Sequence, residues 1–247
     1  MKINLPKIFC PIIVCILILL ASCASSAVRA EEYYALGVAY FELRRFEEAE
    51  RWFNRAKFHQ KTKNAAEYYL GNIAYETGRY QEAQTYFDRI IKRDSENITA
   101  LRAAAYTSIK LNEFDKAEMY YSRILILVPE AHDAGYNYSL VLAAMGRTEE
   151  AEQLLLQFNI IDNAEALFLL ARLQRDMGKP EALDAFSTSL LLDDNPLVRF
   201  EFAAFLAEIG LAERALEEYQ KVLENGRLTD QIREDAITAI ELLETNI

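Results

Sequence analysis

The chain has 247 residues, of which 52% are hydrophobic and 26% charged, and it contains only 8 Gly and 5 Pro. This is the composition of a folded protein, and so few Gly and Pro argue against a many-stranded sandwich or barrel, which needs frequent turn residues. The net charge of −11 makes nucleic-acid binding a poor interpretation, because that affinity comes largely from basic residues that neutralise phosphates.

The segment 1–22 is predicted to be a secretory signal peptide and not part of the fold. Lys2 and Lys7 supply the positive start, and an apolar run of 13 residues covers 8–20. A membrane-spanning helix needs roughly 20 such residues, so the run has the length of the apolar part of a signal peptide.

The apolar run is followed by Leu-Ala-Ser-Cys at 20–23. This segment resembles the lipobox of bacterial lipoproteins, in which the chain is cut before the cysteine and the cysteine is lipidated. The resemblance implies a signal peptide over 1–22, a lipid such as palmitate on Cys23 and a short tether over 23–29. Ala24 is not the Asp that favours inner-membrane retention, which implies an outer-membrane address facing the periplasm. An ordinary cleaved signal, or an uncleaved anchor, is the alternative.

A periodic pattern runs through the rest of the chain. A small residue is followed four positions later by a large apolar one at Ala49/Phe53, Ala83/Phe87, Ala117/Tyr121, Ala151/Leu155, Ala182/Phe186 and Ala215/Tyr219. A residue suited to a left-handed turn stands four or five positions before the alanine at Gly78, Asn112, Gly146, Gly178 and Gly210. The alanine lets two helices cross closely, and the large residue fills the groove beside it.

This pattern resembles the tetratricopeptide repeat, a helix–turn–helix unit of about 34 residues. The resemblance implies six repeats, at 30–63, 64–97, 98–131, 132–162, 163–195 and 196–227. One helix pair cannot bury its apolar face alone, so the pairs must stack. The predicted fold is therefore all-α, a right-handed α-solenoid of about six helix pairs.

A last amphipathic helix is predicted within 228–247, as a cap on the final repeat. Its apolar residues are expected to share one face, with the charged residues opposite. The predicted apolar face comprises Ile232, Ala236, Ile237, Ala239, Ile240 and Leu243.

Signals for catalysis are weak, and we predict that the protein is not an enzyme and holds no metal or cofactor. His59 and His132 have no metal-ligand spacing to another His, Cys or carboxylate cluster, and are interpreted as polar residues near helix ends. The chain has no Gly-rich phosphate loop and no G-x-S-x-G motif. After Cys23 it has no further cysteine, which excludes disulfides and thiol catalysis in the mature body.

Aromatic residues give the one binding signal. In the tetratricopeptide-repeat family, the first helix of each pair lines a concave groove. The residues that helical spacing places on that face, and that we predict to bind a partner, are Tyr34, Phe41, Tyr68, Asn72, Tyr75, Arg102, Tyr106 and Tyr136. Aromatic residues and Arg are favoured in binding hot spots, and an Asn can hold a peptide backbone. The alternative is that the rings only pack between repeats. Residues resembling the carboxylate clamp of chaperone-binding relatives are absent.

The expected function is that of a membrane-tethered periplasmic scaffold that binds protein or peptide partners during assembly of an envelope complex. Such a chain is similar to the pilotins of type IV pilus systems, which help a secretin ring form, and in outline to the lipoprotein of the barrel-assembly machinery. Two alternatives stay open. One is an adaptor for a cell-wall hydrolase or protease, and the other is a ligand-handling partner of a periplasmic solute-binding protein of a transporter.

Overall fold

The structure, a computed structural model, describes residues 28–158, 160–224 and 228–245. Within these residues it consists of thirteen α-helices and contains no β-strand. The predicted all-α helical-repeat fold is confirmed. The predicted signal peptide and Cys23 lie outside the described residues.

The helices follow one another through short turns, and within each half of the chain they pack mainly against their neighbours in sequence. They are a helix over 28–42 (α1), Phe46–Ala56 (α2), Gln60–Glu76 (α3), Tyr80–Arg93 (α4), Ile98–Lys110 (α5), Phe114–Leu127 (α6), His132–Ala144 (α7), Thr148–Leu156 (α8), Ala164–Asp176 (α9), Ala182–Leu192 (α10), Pro196–Glu208 (α11), Ala212–Glu224 (α12) and Asp230–Glu244 (α13).

The turns between paired helices depend on one left-handed residue each. The backbone angle φ is positive at Gly78 (76°), Asn112 (57°), Gly146 (75°), Gly178 (68°) and Gly210 (80°), as the sequence predicts. Arg44 has the same conformation, with φ of 55°, five residues before Ala49. Its side chain gives no sequence signal for this geometry, because arginine pays a steric cost there that glycine does not.

Helix α3 begins at Gln60, ahead of the predicted repeat boundary at residue 64. His59 precedes the helix, and its Nδ1 atom accepts a hydrogen bond from the backbone N–H of Lys61 at 3.3 Å. The Thr62 hydroxyl donates to the carbonyl of Ala56 at 2.6 Å. These contacts satisfy polar groups at the helix start, so the helix begins earlier than the repeat count places it.

The small residues of the repeat pattern lie where helices cross. The six alanines are all fully buried, at Ala49, Ala83, Ala117, Ala151, Ala182 and Ala215. Gly71 of α3 is another small residue at a helix contact. A Cβ atom at this position would lie 2.6 Å from Cε1 of the Phe87 ring. The absence of a side chain on α3 therefore lets the ring from α4 pack flat against the helix backbone.

The chain divides into two compact units, with the boundary between Arg123 and Ile124 inside α6. In the first unit, Phe53 is fully buried and stacks on Tyr69 at 4.9 Å between ring centroids. In the second unit, the fully buried Phe186 stacks on two rings of α11. Each unit therefore has its own aromatic core.

A polar network joins α4, α5 and α6 in the first unit, with Gln84, Ser108 and Tyr120 buried and Asp88 exposed. The Ser108 hydroxyl donates to Oε1 of Gln84 at 3.2 Å, and Nε2 of Gln84 donates to the hydroxyl oxygen of Tyr120 at 3.2 Å. The Tyr120 hydroxyl in turn donates to Oδ1 of Asp88 at 2.6 Å. Burial and the nearby Asp88 carboxylate raise the pKa of Tyr120. All four side chains are therefore paired with one another.

The last helix, α13, presents a narrower apolar face than the sequence predicts. Ala236 is fully buried, but Ile237 is 43% exposed. Successive residues of a helix are rotated by about 100°, so Ile237 points away from the side on which its neighbour packs. The residues at the correct spacing that do pack on the core are Ile232, Ala236, Ala239, Ile240 and Leu243.

Candidate functional site: an aromatic cavity in the first unit

A cavity of about 690 Å³ opens within the first unit. Six of the predicted partner-binding residues line it, namely Phe41, Tyr68, Asn72, Tyr75, Arg102 and Tyr106. The other lining residues are Glu76, Phe87, Ile98, Thr99 and Ala103. The cavity therefore brings together side chains from α1, α3, α4 and α5.

Helical spacing explains how α3 contributes most of the wall. Tyr68, Asn72 and Tyr75 are separated by four and three residues, which places them on one side of a helix. On α5, Arg102 and Tyr106 are four residues apart and share a face for the same reason. All of these side chains are half-buried except Tyr106, which is 37% exposed.

Each aromatic wall of the cavity also contacts another ring. Edge or tilted contacts join Phe41 to Tyr69 (5.1 Å between centroids), Tyr68 to Phe87 (5.9 Å), Tyr75 to Tyr80 (5.4 Å) and Tyr106 to Tyr121 (6.2 Å). Such pairs hold the rings in fixed orientations. The lining rings are therefore both packed side chains and cavity walls.

The polar side of the cavity contains one acidic residue, Glu76, and one basic residue, Arg102. Glu76 on α3 accepts a hydrogen bond at 3.1 Å from Nη2 of Arg44, which lies in the turn between α1 and α2. Burial raises the pKa of Tyr75, and neighbouring Tyr80, Glu76 and Tyr106 raise it further. The Tyr75 hydroxyl therefore stays protonated, as a hydrogen-bond donor, throughout the physiological pH range.

Two of the predicted site residues do not line the cavity. Tyr34 packs in the core of the first unit, 5.8 Å from Phe53 and 5.9 Å from Tyr69 between ring centroids. Tyr136 belongs to the second unit, where it packs against the apolar core and burial raises its pKa. For these two residues the structure favours a packing role.

The sequence analysis missed the five other lining residues. Glu76 stands four residues after Asn72 on the same face of α3, so the helical spacing could have found it. Thr99 and Ala103 flank Arg102 on α5 but are small, and nothing in their residue type suggests a site. Phe87 was assigned to packing alone, and its ring both packs and lines the cavity.

The two histidines lie at helix starts. His59 precedes α3, and His132 is the first residue of α7, with its ring 5.6 Å from that of Phe158. Among the described residues, no group of His, Cys, Asp and Glu has the geometry to hold a metal ion. Nor does any helix in that part of the chain combine the length and apolarity needed to cross a membrane.

Family comparisons agree with the repeat architecture. Residues 42–124 match the family described as anaphase-promoting complex, cyclosome, subunit 3, and residues 102–165 match the tetratricopeptide repeat. The helix pairs of the chain have the fold of the tetratricopeptide repeat. Proteins built from these repeats generally act as scaffolds that bind proteins or peptides, and neither matching family is one of enzymes.

Solved structures of tetratricopeptide-repeat proteins share the fold. One from Parabacteroides merdae is 21% identical, with a TM-score of 0.71, and the match covers 88% of this chain and 93% of that one. YrrB, described as a TPR protein with an unusual peptide-binding site, is 20% identical over 78% of this chain and 97% of its own, with a TM-score of 0.62. TTC0263 from Thermus thermophilus is 23% identical over 72% and 98%, with a TM-score of 0.55. No curated protein matches the sequence.

Proposed function

We propose that this protein is a lipid-anchored scaffold of the bacterial envelope that captures a peptide segment of its partner in the aromatic cavity of the first unit. The observation that carries the proposal is the convergence of Tyr68, Asn72, Tyr75, Arg102 and Tyr106 on one cavity. These residue types supply ring faces for apolar side chains and polar groups for a peptide backbone.

The fixed orientation of the cavity walls supports binding. Binding costs conformational entropy, and side chains that are already held by ring contacts lose little of it. Tyr and Arg are also the residue types on which hot spots concentrate, in partly desolvated pockets. A peptide side chain entering the cavity would meet Tyr68 and Tyr75 on α3 and Tyr106 on α5.

The envelope address is part of the same proposal and is supported by the sequence alone. The lipobox-like segment 20–23 and the apolar run before it favour lipid attachment at Cys23. Only a short segment separates Cys23 from the start of α1 at Val28, which holds the folded part within about 18 Å of the attachment point. Assembly of an outer-membrane complex, as by a pilotin, is the role we favour.

Filling the cavity tests the proposal without removing packed rings. Thr99 lies on the cavity wall but is exposed, so Thr99→Trp adds a large side chain there with little effect on the core. Peptides selected from a random library on the purified protein would serve as probes. We expect Thr99→Trp to weaken their binding more than tenfold. Thr85→Trp, at an exposed position of α4 outside the cavity, is the matched control and is expected to bind normally.

Removing the walls gives the complementary test. Truncating a true hot-spot residue to Ala typically costs about 2 kcal/mol or more, so Tyr68→Ala with Tyr75→Ala is expected to reduce peptide affinity well over tenfold. Tyr86→Ala, a half-buried tyrosine outside the cavity, is the control. Trp52, half-buried and also outside the cavity, can serve in the same way, whereas Tyr219 is 4% exposed and unsuitable. Unchanged affinity in the double variant would refute the proposed site, and lost helicity would assign the rings to packing.

The anchor is tested separately. Mass spectrometry of the protein from the membrane fraction is expected to find Cys23 as the first residue, carrying lipid. One acyl chain holds a protein only marginally and two or more hold it stably, so the modification is expected to include several chains. An unmodified N-terminus at Val28 or beyond, or a Cys23→Ser variant that stays fully membrane-bound, would contradict it.

A small molecule is the second candidate occupant. The cavity volume of about 690 Å³ lies within the range of about 300–1,000 Å³ that is usual for small-ligand pockets. That observation favours the ligand-handling alternative over the hydrolase adaptor. Selection of no peptide, combined with a small molecule that co-purifies with the wild-type chain but not with Thr99→Trp, would establish it.

A further inference from the structure

A strongly basic segment interrupts this acidic chain. Residues 51–66 contain five basic residues and no acidic one, although the whole chain has a net charge of −11. The basic residues are Arg51, Arg55, Lys57, Lys61 and Lys63. They lie in the second half of α2, in the turn that follows it and in the first turn of α3.

The structure gathers part of this segment with the start of α1. Arg29, Arg55, Phe58 and His59 line a surface depression of about 350 Å³. Phe58 is 84% exposed, and Nζ of Lys57 lies 5.8 Å from the centroid of its ring. An aromatic ring in water with cations around it is typical of a surface that meets the headgroup region of a bilayer.

The positive charges of this surface are only partly neutralised. Glu31 pairs with Lys61, and that contact lowers the pKa of Glu31. Arg55 instead lies over the rings of Trp52 (4.8 Å) and Tyr33 (5.7 Å). A ring holds a cation in place without cancelling its charge. Arg55 and Lys57, whose contacts are with neutral groups, therefore give a net positive charge to the surface formed by Arg29, Arg55, Lys57, Phe58 and Lys61, called here the basic surface.

The basic surface lies next to the predicted attachment point. Val28, which is 56% exposed, stands five residues after Cys23. At about 3.6 Å per residue, the two residues are separated by at most about 18 Å. We infer that the basic surface rests against an anionic bilayer and orients the folded repeats on the membrane. The inference relies on the proposed lipid at Cys23 for this proximity, and charge complementarity supplies the rest.

The consequence is a two-part attachment. A lipid fixes the point at which the chain is attached to the bilayer but does not fix the orientation of the folded repeats relative to it. Basic residues close to an anionic surface add an attraction that fades within a Debye length, and an exposed aromatic ring adds apolar contact. The start of α1 and the end of α2 would then face the lipid.

Trp52 provides a built-in probe, because it is the single Trp of the chain and lies beside Arg55. The full chain, processed in cells and purified in detergent, would be reconstituted into vesicles of phosphatidylcholine with or without phosphatidylglycerol, each containing a dansyl-labelled lipid. Energy transfer from Trp52 to dansyl reports the approach of this surface to the bilayer. We expect at least about twofold more transfer on the anionic vesicles. The difference should disappear between about 0.1 M and about 1 M salt, where the Debye length falls from about 10 Å to about 3 Å.

Charge reversal identifies the residues responsible. Lys57→Glu with Lys61→Glu is expected to reduce transfer on anionic vesicles to the level seen on neutral ones. The exposed pair Lys92→Glu with Lys110→Glu makes the same change of net charge away from the basic surface and is expected to leave transfer unchanged. Equal transfer in all variants, or on both vesicle types, would overturn the inference.

Flotation distinguishes this inference from the proposed anchor. A lipidated chain floats with neutral vesicles whatever the state of the basic surface, so loss of charge-dependent transfer with intact flotation refutes the inference alone. A chain that floats only with anionic vesicles, and only at low salt, would retain the basic surface but refute the lipid anchor. Binding to an acidic protein instead of lipid would appear as transfer that ignores phosphatidylglycerol, which also overturns the inference.

Discussion

The same helix positions are used differently in the two units. Counted back from the left-handed glycine of the turn, Asn72 and Tyr75 of α3 correspond to Arg172 and Arg175 of α9. In the first unit these positions line an open cavity. In the second unit the same positions carry arginines. These pair with glutamates of α11, the first helix of the following repeat.

Ion pairs cover the face of the second unit. Arg175 donates to both carboxylate oxygens of Glu208, at 3.0 and 2.9 Å, and Arg172 lies 3.5 Å from Glu201. The guanidinium of Arg172 also lies over the ring of Phe168, 5.8 Å from its centroid. Arg175 and Glu208 also line a cavity of about 550 Å³ in the second unit, so the two faces differ in the side chains that line them: paired charges in the second unit and aromatic rings in the first. The comparison shows that equivalent positions of the repeat carry aromatic and amide side chains in one unit and paired charges in the other.

The largest effect is expected from the core of the second unit. Phe186 is fully buried and stacks on Phe202 and Phe205, with centroids 5.6 and 5.7 Å apart. Phe186→Ala removes these contacts and leaves a cavity, which typically costs about 3–5 kcal/mol. Urea unfolding followed by circular dichroism measures the loss. Phe58→Ala, at an exposed ring, is the control and should stay within about 0.5 kcal/mol. Similar unfolding midpoints for the two variants would contradict the assignment of the core.

Next come the helix crossings, where the two units should behave alike. Ala83 and Ala182 are both fully buried, so replacement of either by Leu forces extra atoms into a packed site and should cost about 1–3 kcal/mol. Gln81→Leu, on the exposed side of α4, should change stability by no more than about 0.5 kcal/mol. A loss of stability in only one of the two variants would mean that the alanine is closely packed at a helix crossing in only one of the units.

Much of this fold follows from the repeat pattern, for a clear physical reason. Local geometry restricts the residue type at two kinds of position: a residue on which a ring packs must be small, and a residue at which a helix ends must adopt a left-handed conformation. These restrictions are visible in the sequence. Arg44 escaped prediction because it takes the left-handed position of its turn without the glycine or asparagine that marks this position in the other repeats. The start of α3 lies ahead of the predicted repeat boundary because His59 and Thr62 provide contacts that no period encodes.

The candidate site was predictable only in part. Helical spacing finds residues that share a face, and six of the eight predicted residues do line one cavity. Helical spacing does not show on which side of a face the neighbouring helix packs, which is why Tyr34 is found half-buried against the core of the first unit and outside the cavity. Thr99 and Ala103 line the cavity because of where α5 lies, and their chemistry gives no sign of it.

A smaller effect is expected at alkaline pH, mainly from the first unit. Burial raises the pKa of Tyr34, Tyr75 and Tyr86 in the folded state. Below a pH of about 10 these hydroxyls are protonated in both states, and their contribution to stability is complete. Above it the unfolded chain loses protons first, so stability falls as pH rises through the folded-state pKa values. Phenolate absorbance should therefore show a late-titrating group of tyrosines, which Tyr75→Phe reduces. Ionisation of every tyrosine near pH 10 would contradict the burial.

The smallest effect is expected from the ion pairs of the second unit. Arg175→Ala removes a bidentate contact with Glu208, but both side chains reach solvent, and such pairs are worth about 0.2–1 kcal/mol. The loss should shrink as salt rises, because the pair is screened. Arg214→Ala, at an exposed arginine of α12, is the control. A loss well above that range would mean that the face of the second unit depends on its charges far more than this comparison implies.

The hydrogen-bond network of Ser108, Gln84, Tyr120 and Asp88 bears on how the repeats stack in the correct order. Repeats that resemble one another could stack in the wrong order, because an apolar face accepts any other apolar face. At the position of Tyr120, the helices one repeat later and two repeats earlier carry Leu154 and Trp52, which cannot accept the amide of Gln84, whereas the helix one repeat earlier carries Tyr86, which has the same hydroxyl. In a misplaced repeat, buried polar groups would lose their hydrogen-bond partners, which costs about 1–3 kcal/mol for each group. The network therefore favours the native order of the repeats over arrangements that bring Leu154 or Trp52 to the position of Tyr120.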